Sequence, residues 1–205
     1  AWFYTKLYQA GLLDDGLIAM NNFSNGHTMS GASIDPETIR QVNATLPRWI
    51  DEPNNIHDDN YYIRRIRFDV CLDSYLTVVS EASFADENNT LFLSEKTFKA
   101  IASRHPFIIL GDRGSLAKLR ELGYKTFEGF IDESYDELPT HERMDAIIVA
   151  LKKLKQENNM YKWYKRLQPT LNYNYNRLKN RSIRKNKTVA DIELLYSKKF
   201  GADDV

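Results

Sequence analysis

Residues 91–127 read LFLSEKTFKAIASRHPFIILGDRGSLAKLRELGYKTF, and their rhythm decides the fold. Phe107 to Leu110 (FIIL) is an unbroken apolar run, which predicts a strand buried on both faces and ended by Gly111. Before it, Ser94 to Ser103 predicts a helix with Ser94 as N-cap, and the His105-Pro106 pair closes that helix. After it, Ser115 to Leu122 predicts a second helix ended by Gly123. Tyr124 to Phe127 then predicts a third short strand.

Working outward, Leu76 to Ser80 (LTVVS) is β-branched and apolar and predicts a strand, with Asp86 to Asn89 breaking the pattern after it. Thr140 to Leu154 predicts a long helix with Met144, Ile147, Ile148 and Leu151 inward. Strands alternating with helices indicate βαβ units, hence an α/β fold with a parallel sheet. Such sheets take ligands beyond the carboxyl ends of their strands, so the segments after Ser80, Leu110 and Phe127 are the places to look for chemistry.

The flanks read differently. Residues 1–14 predict an amphipathic helix with Gly16 as its stop, and residues 17–33 a loop. Residues 35–50 predict a helix with Asp35 as cap, Pro36 at its first position, and Ile39, Val42 and Leu46 on one face. Residues 51–60 are a polar connection. Beyond Gln156 a helix is predicted near 157–167 and another near 188–199, with Asn172 to Lys187 polar and basic between them. The resulting division is a helical and loop connecting segment over 1–70, an α/β domain over 71–155, and a basic helical tail over 156–205. The chain opens inside a helical pattern (Trp2, Phe3, Leu7, Tyr8), which leads us to expect further sequence upstream of Ala1.

Hydrophobic residues make up 42% and charged residues 27% of the 205, the balance of a globular domain. A collagen, a mucin, a coiled-coil rod and a wholly disordered chain are excluded. No apolar run approaches the roughly 18 residues of a membrane span. The lone Cys71 excludes an internal disulfide and a zinc ribbon, and points to a reducing compartment, the cytoplasm. The zero net charge conceals segregation. Residues 1–150 carry 14 basic and 23 acidic side chains, whereas residues 151–205 carry 14 and 5. A basic tail on an acidic body suits a polyanionic partner, an anionic surface or docking on the body itself.

Three motifs stand at the predicted strand ends. Ser94-Glu95-Lys96 heads a helix, where free N–H groups and the dipole favour a phosphate; the same residues also make an ordinary cap with a first-turn acid, the stronger reading on local grounds. Gly111-Asp112-Arg113-Gly114-Ser115 lets the backbone approach a ligand and offers Arg113 to a diphosphate, or is simply a tight turn with Ser115 as cap. Asp132 to Glu137 holds four carboxylates without EF-hand spacing and reads as a solvated acidic turn. The histidines His27, His57, His105 and His141 form no metal-ligand pattern, and neither a P-loop nor a GxSxG elbow occurs. The aromatic and basic residues from Tyr161 to Lys187 either stack and contact a nucleic acid or fold back on the body.

Taken together, LTVVSEASF (76–84), residues 91–127 and IDESYDEL (131–138) resemble a group of bacteriophage and marine-virus proteins labelled glycosyltransferase-like. They also resemble the C-terminal, donor-binding half of GT-B glycosyltransferases of the fucosyltransferase and exostosin-like kinds. Ser94, Glu95 and Lys96 match the [ST]-E-K motif of those families, and Pro106 to Gly111 match the strand and glycine loop that follow it. LYQAGLLDDGLIAM (7–20) resembles the segment joining the two halves of such virus proteins. The resemblance covers about half the chain.

The resemblance implies a Rossmann-like sheet and a nucleotide-sugar donor bound without a metal or other cofactor. Glu95 would hold ribose hydroxyls and Lys96 the diphosphate. Ser94, Lys99, Gly111 and Arg113 would line the pocket, with Glu81 at its rim. The acceptor, whether glycan, protein or nucleic acid, and the catalytic base belong to the other half, expected upstream. A viral chain of this kind would work in the host cytoplasm. Two rival functions stand beside it. One is a nucleic-acid or polyanion-binding module acting through Arg177, Lys179, Arg181, Arg184 and Lys185. The other is a viral structural protein keeping the fold without the chemistry.

Overall fold

A computed structural model describes residues 2–20, 34–48, 50, 66–82, 84 and 91–181. In chain order they form α1 (Trp2–Gln9), a 3-10 turn (Leu13–Asp15), α2 (Pro36–Asn43), α3 (Phe68–Leu72), β1 (Thr77–Ser80), α4 (Glu95–Ala102), β2 (Phe107–Leu110), α5 (Ser115–Glu121), a second 3-10 turn (Ser134–Glu137), α6 (Thr140–Lys155) and α7 (Met160–Arg181). The predicted loop 51–60, the break at Asp86 to Asn89 and the helix near 188–199 lie outside the described residues, as do Arg184, Lys185 and Lys187.

The architecture is mixed α/β. β1 and β2 pair in parallel, with Thr77 opposite Phe107 and Ser80 opposite Leu110. All four residues of β2 are buried, as its unbroken apolar run requires. α4 packs on both strands, α6 on β2, and α7 on α4. Ile101 of α4, Leu116 and Leu119 of α5, Ile147 of α6, and Trp163, Leu167 and Leu171 of α7 join the strands in one core. The Phe107 and Phe127 rings meet edge to face at 4.9 Å. A smaller cluster of Tyr4, Leu7, Leu12, Leu13 and Val42 docks the N-terminal helices on Ile148 of α6.

The N-terminal helix ends sooner than its apolar spacing predicts. Gly11 takes a φ of +66°, its N–H donates to Tyr8 O, and Leu12 N–H donates to Leu7 O. That paired closure stops α1 at Gln9, ahead of the expected stop at Gly16. α2 is likewise shorter than expected. Asp35 caps it through Thr38 N–H at 2.8 Å and Pro36 opens it, yet it ends at Asn43 and Ile39 faces outward.

The third strand does not form among the described residues. The Ile109 N–H, on the edge of β2 away from β1, donates to the Tyr135 hydroxyl at 3.3 Å. Lys125 N–H donates to Asn174 Oδ1 at 2.8 Å, and Asn174 Nδ2 donates back to Lys125 O at 2.7 Å. Phe127 N–H donates to Glu133 Oε1. Side chains thus take the bonds that a ladder would have used, which satisfies the backbone without a neighbouring strand.

α7 also departs from expectation, running 22 residues through Pro169 to Arg181. Proline costs a backbone bond inside a helix, but buried Leu167 and Leu171 hold the chain on either side of it. Asn174 and Tyr175 are buried as well, so the basic stretch through residue 175 is packed against the body.

Candidate functional site

Beyond the last paired residues, the chain of β1 continues into Glu81 and that of β2 into Gly111. Glu81 N–H donates to Leu110 O at 2.9 Å, so the two strand ends remain side by side. A Cβ placed on Gly111 would lie 3.2 Å from Glu81 Cβ and 3.0 Å from Ile109 Cγ2. The glycine is there because a side chain would crowd Glu81.

Glu81 is buried. Its carboxylate accepts from Ser94 N–H at 3.1 and 3.2 Å, from the Ser94 hydroxyl, and from the Thr97 hydroxyl at 2.5 Å. Ser94 Oγ in turn accepts from Lys96 N–H at 3.2 Å, which makes it the N-cap of α4 as its sequence predicts. The resemblance implied Glu81 at the rim of a pocket. In the structure it sits beneath the head of α4 and ties that head to the sheet.

Glu95 and Lys96 are the first residues of α4 and both stay about half-exposed (46% and 45% of the side chain), with Lys96 Nζ 3.7 Å from Glu95 Oε1. Lys99 is partly buried one turn further on. Burial lowers its pKa, Lys96 adds to that effect, and Glu95 opposes it. Glu95, Lys96 and Lys99 therefore act as one local group of charges on the first turns of α4.

The Gly111–Ser115 loop lies beside this head. Asp112 is buried and accepts from Phe92 N–H at 3.3 Å, which draws the segment before Ser94 onto the loop. Leu91 Cδ1 reaches to within 3.5 Å of a Cβ placed on Gly114. Arg113 is exposed, with no hydrogen bond or ion pair among the described residues. The expected cap at Ser115 is replaced. Gly114 takes the cap position with a φ of +82°, and the Ser115 hydroxyl donates to Asp112 O at 2.6 Å. The capping anion comes from a distance. Asp136 accepts from Leu116 N–H and Ala117 N–H, both at 2.9 Å.

The sequence reading of 132–137 as a solvated turn is therefore corrected at two positions. Asp136 is buried on the head of α5, and Glu133 is spent on Phe127 N–H and on Arg120 at 3.0 Å. Burial nonetheless dominates at Glu133 and pushes its pKa up, against the lowering effect of those partners. Buried Arg143 donates to Gly111 O and, at 3.1 Å, to Leu138 O, fixing the loop against α6. Sequence reasoning missed Asp136, Arg143 and Phe92. Only the acid-rich run hinted at the first, and nothing local marks the other two.

The structure thus brings together Glu81, Ser94, Glu95, Lys96, Lys99 and Gly111, and sets Arg113 on the adjoining loop. Among the described residues no three of His, Cys, Asp and Glu are grouped to hold a metal ion. No described helix is long and apolar enough to cross a membrane. Arg177, one of the basic residues proposed for polyanion contact, is turned inward and donates to Leu122 O at 2.6 and 2.8 Å. No protein-family model matches the sequence, and neither a curated protein nor a solved structure does.

Proposed function

We propose that the carboxyl edge of the β1–β2 sheet binds a nucleotide-sugar, as the donor-binding half of a GT-B-type glycosyltransferase built on a Rossmann-like sheet. The observation that carries this reading is the pair Glu95 and Lys96, half-exposed on the first turn of α4 just beyond the carboxyl end of β1. Lys96 meets the diphosphate, Glu95 accepts from ribose hydroxyls, and Arg113 supplies a second cation with rigid donors. On transfer the anomeric C–O bond to phosphate breaks and the diphosphate leaves with its electron pair, while the acceptor hydroxyl oxygen bonds the anomeric carbon and gives its proton to a general base. Fixed cations stabilise the charge that develops on the diphosphate.

The chemistry differs in one respect from a simple helix-terminus site. At the head of α4 Glu81 already takes Ser94 N–H and Ser94 Oγ takes Lys96 N–H, and at the head of α5 Asp136 takes Leu116 N–H and Ala117 N–H, so part of the amides there is spent on internal acceptors. The phosphates are held by side chains instead. Calorimetric titration with UDP, GDP and ADP tests the reading. Binding of at least one, weakened about tenfold or more by Lys96→Ala, is expected. Absence of binding by all three, or an unchanged affinity in the variant, would overturn it.

A further inference from the structure

We infer that Phe92 is the platform on which the nucleobase of the bound nucleotide stacks, an inference that rests on the donor-site reading above. Phe92 is 54% exposed, behind Val149 and Tyr161 among the exposed large hydrophobic side chains of the described residues. Its position is fixed from both sides. Leu93 packs on the core and Ser94 is anchored on Glu81, while the Phe92 N–H is held by Asp112. Leu93 turns inward to the core and Phe92 outward to solvent.

That placement puts an exposed aromatic ring on a segment tied to both charged parts of the site. Glu95 and Lys96 follow it within the same segment, and Arg113 is the residue after the one that holds its backbone. A half-exposed phenyl ring gives a base a flat apolar surface while neighbouring cations take the phosphates. A phenyl ring offers no hydrogen bond to a base edge, so it accepts any base, and base choice is set elsewhere.

The test compares nucleoside diphosphates with inorganic pyrophosphate on the full chain, in the wild type, Phe92→Ala and Phe92→Trp. The expected result is that Phe92→Ala weakens UDP, GDP and ADP binding by about 10- to 100-fold. Pyrophosphate affinity stays unchanged, and Phe92→Trp retains nucleotide affinity. If the wild type binds nucleotides and Phe92→Ala binds them equally well, the inference fails while the donor reading stands. If Phe92→Ala weakens pyrophosphate as much as nucleotides, the ring acts through the loop and the inference also fails. If the wild type binds no nucleoside diphosphate, both fall together.

Discussion

The Glu81 carboxylate accepts the Ser94 backbone N–H at 3.1 and 3.2 Å, so an acid at the end of one strand occupies the head of the helix that follows. Asp136 does the same for α5 through Leu116 and Ala117. Each buried carboxylate satisfies donors that a helix terminus leaves unpaired and gains from the dipole there. Both helices of the sheet edge are thereby pinned in place, and the groups left facing solvent are Glu95, Lys96 and Arg113.

Glu81 and Glu95 are separated by this account into an anchor and a ligand-facing group. Glu81→Ala leaves Ser94 N–H and the Thr97 hydroxyl without their acceptor in a buried setting, and is expected to cost about 2–4 kcal/mol in urea unfolding. Glu95→Ala is expected to change stability by less than about 0.5 kcal/mol, because its side chain is half in water. Equal effects of the two substitutions would contradict this division of roles.

Asn174 replaces a neighbouring strand for Lys125. Asn174→Ala removes both bonds and is expected to cost about 1–3 kcal/mol. Asn174→Asp keeps the acceptor but points a carboxylate oxygen at Lys125 O, so it is expected to recover little. Chemical denaturation of the two variants checks this, and wild-type stability in Asn174→Asp would contradict it.

Gly123 ends α5 with a φ of +83°, and a Cβ there would lie 2.2 Å from a guanidinium nitrogen of Arg177. Gly123→Ala therefore combines left-handed strain with displacement of an arginine bonded to Leu122 O. A loss of about 1–3 kcal/mol is expected in thermal or urea unfolding. A neutral or stabilising effect would mean the turn relaxes freely.

Glu133 gives a pH dependence with a definite sign. Its pKa is raised above the ordinary 4.5 by burial, so the folded chain holds this proton to a higher pH than the unfolded chain does. Its contribution therefore favours folding at low pH and is lost as pH rises through the window just above 4.5. Glu133→Gln does not titrate. The melting temperature of the variant minus that of the wild type is expected to increase between about pH 4 and pH 7. A decrease over that range would show that Arg120 and Phe127 outweigh burial.

How much of this was legible depends on where the deciding contacts lie in the chain. β2 could be read from FIIL because a strand covered on both faces must be apolar at every position, and all four residues are buried. Ser94 was legible as a cap because its partner, Lys96 N–H, is two residues away. Tyr124 to Phe127 has the composition of a strand, but its bonds go to Asn174 and Glu133, and no local pattern reveals a partner 49 residues distant. The sequence marks this helix only near 157–167, yet α7 runs on through Pro169, where the packing of Leu167 and Leu171 outweighs the lost bond. At the site, Glu95 and Lys96 were legible as exposed charges at a helix head. Glu81 as their anchor was not, since that depends on the 13-residue closure between Glu81 and Ser94.

The most direct test of the central claim is a titration of the isotopically labelled chain with UDP, GDP and ADP, followed residue by residue through backbone amide chemical shifts. At least one of them is expected to shift the amides of residues 92–96 and 111–114 together, in a saturable manner, with α1 and α2 unmoved. Shifts confined to α7, or none anywhere with all three nucleotides, would contradict it.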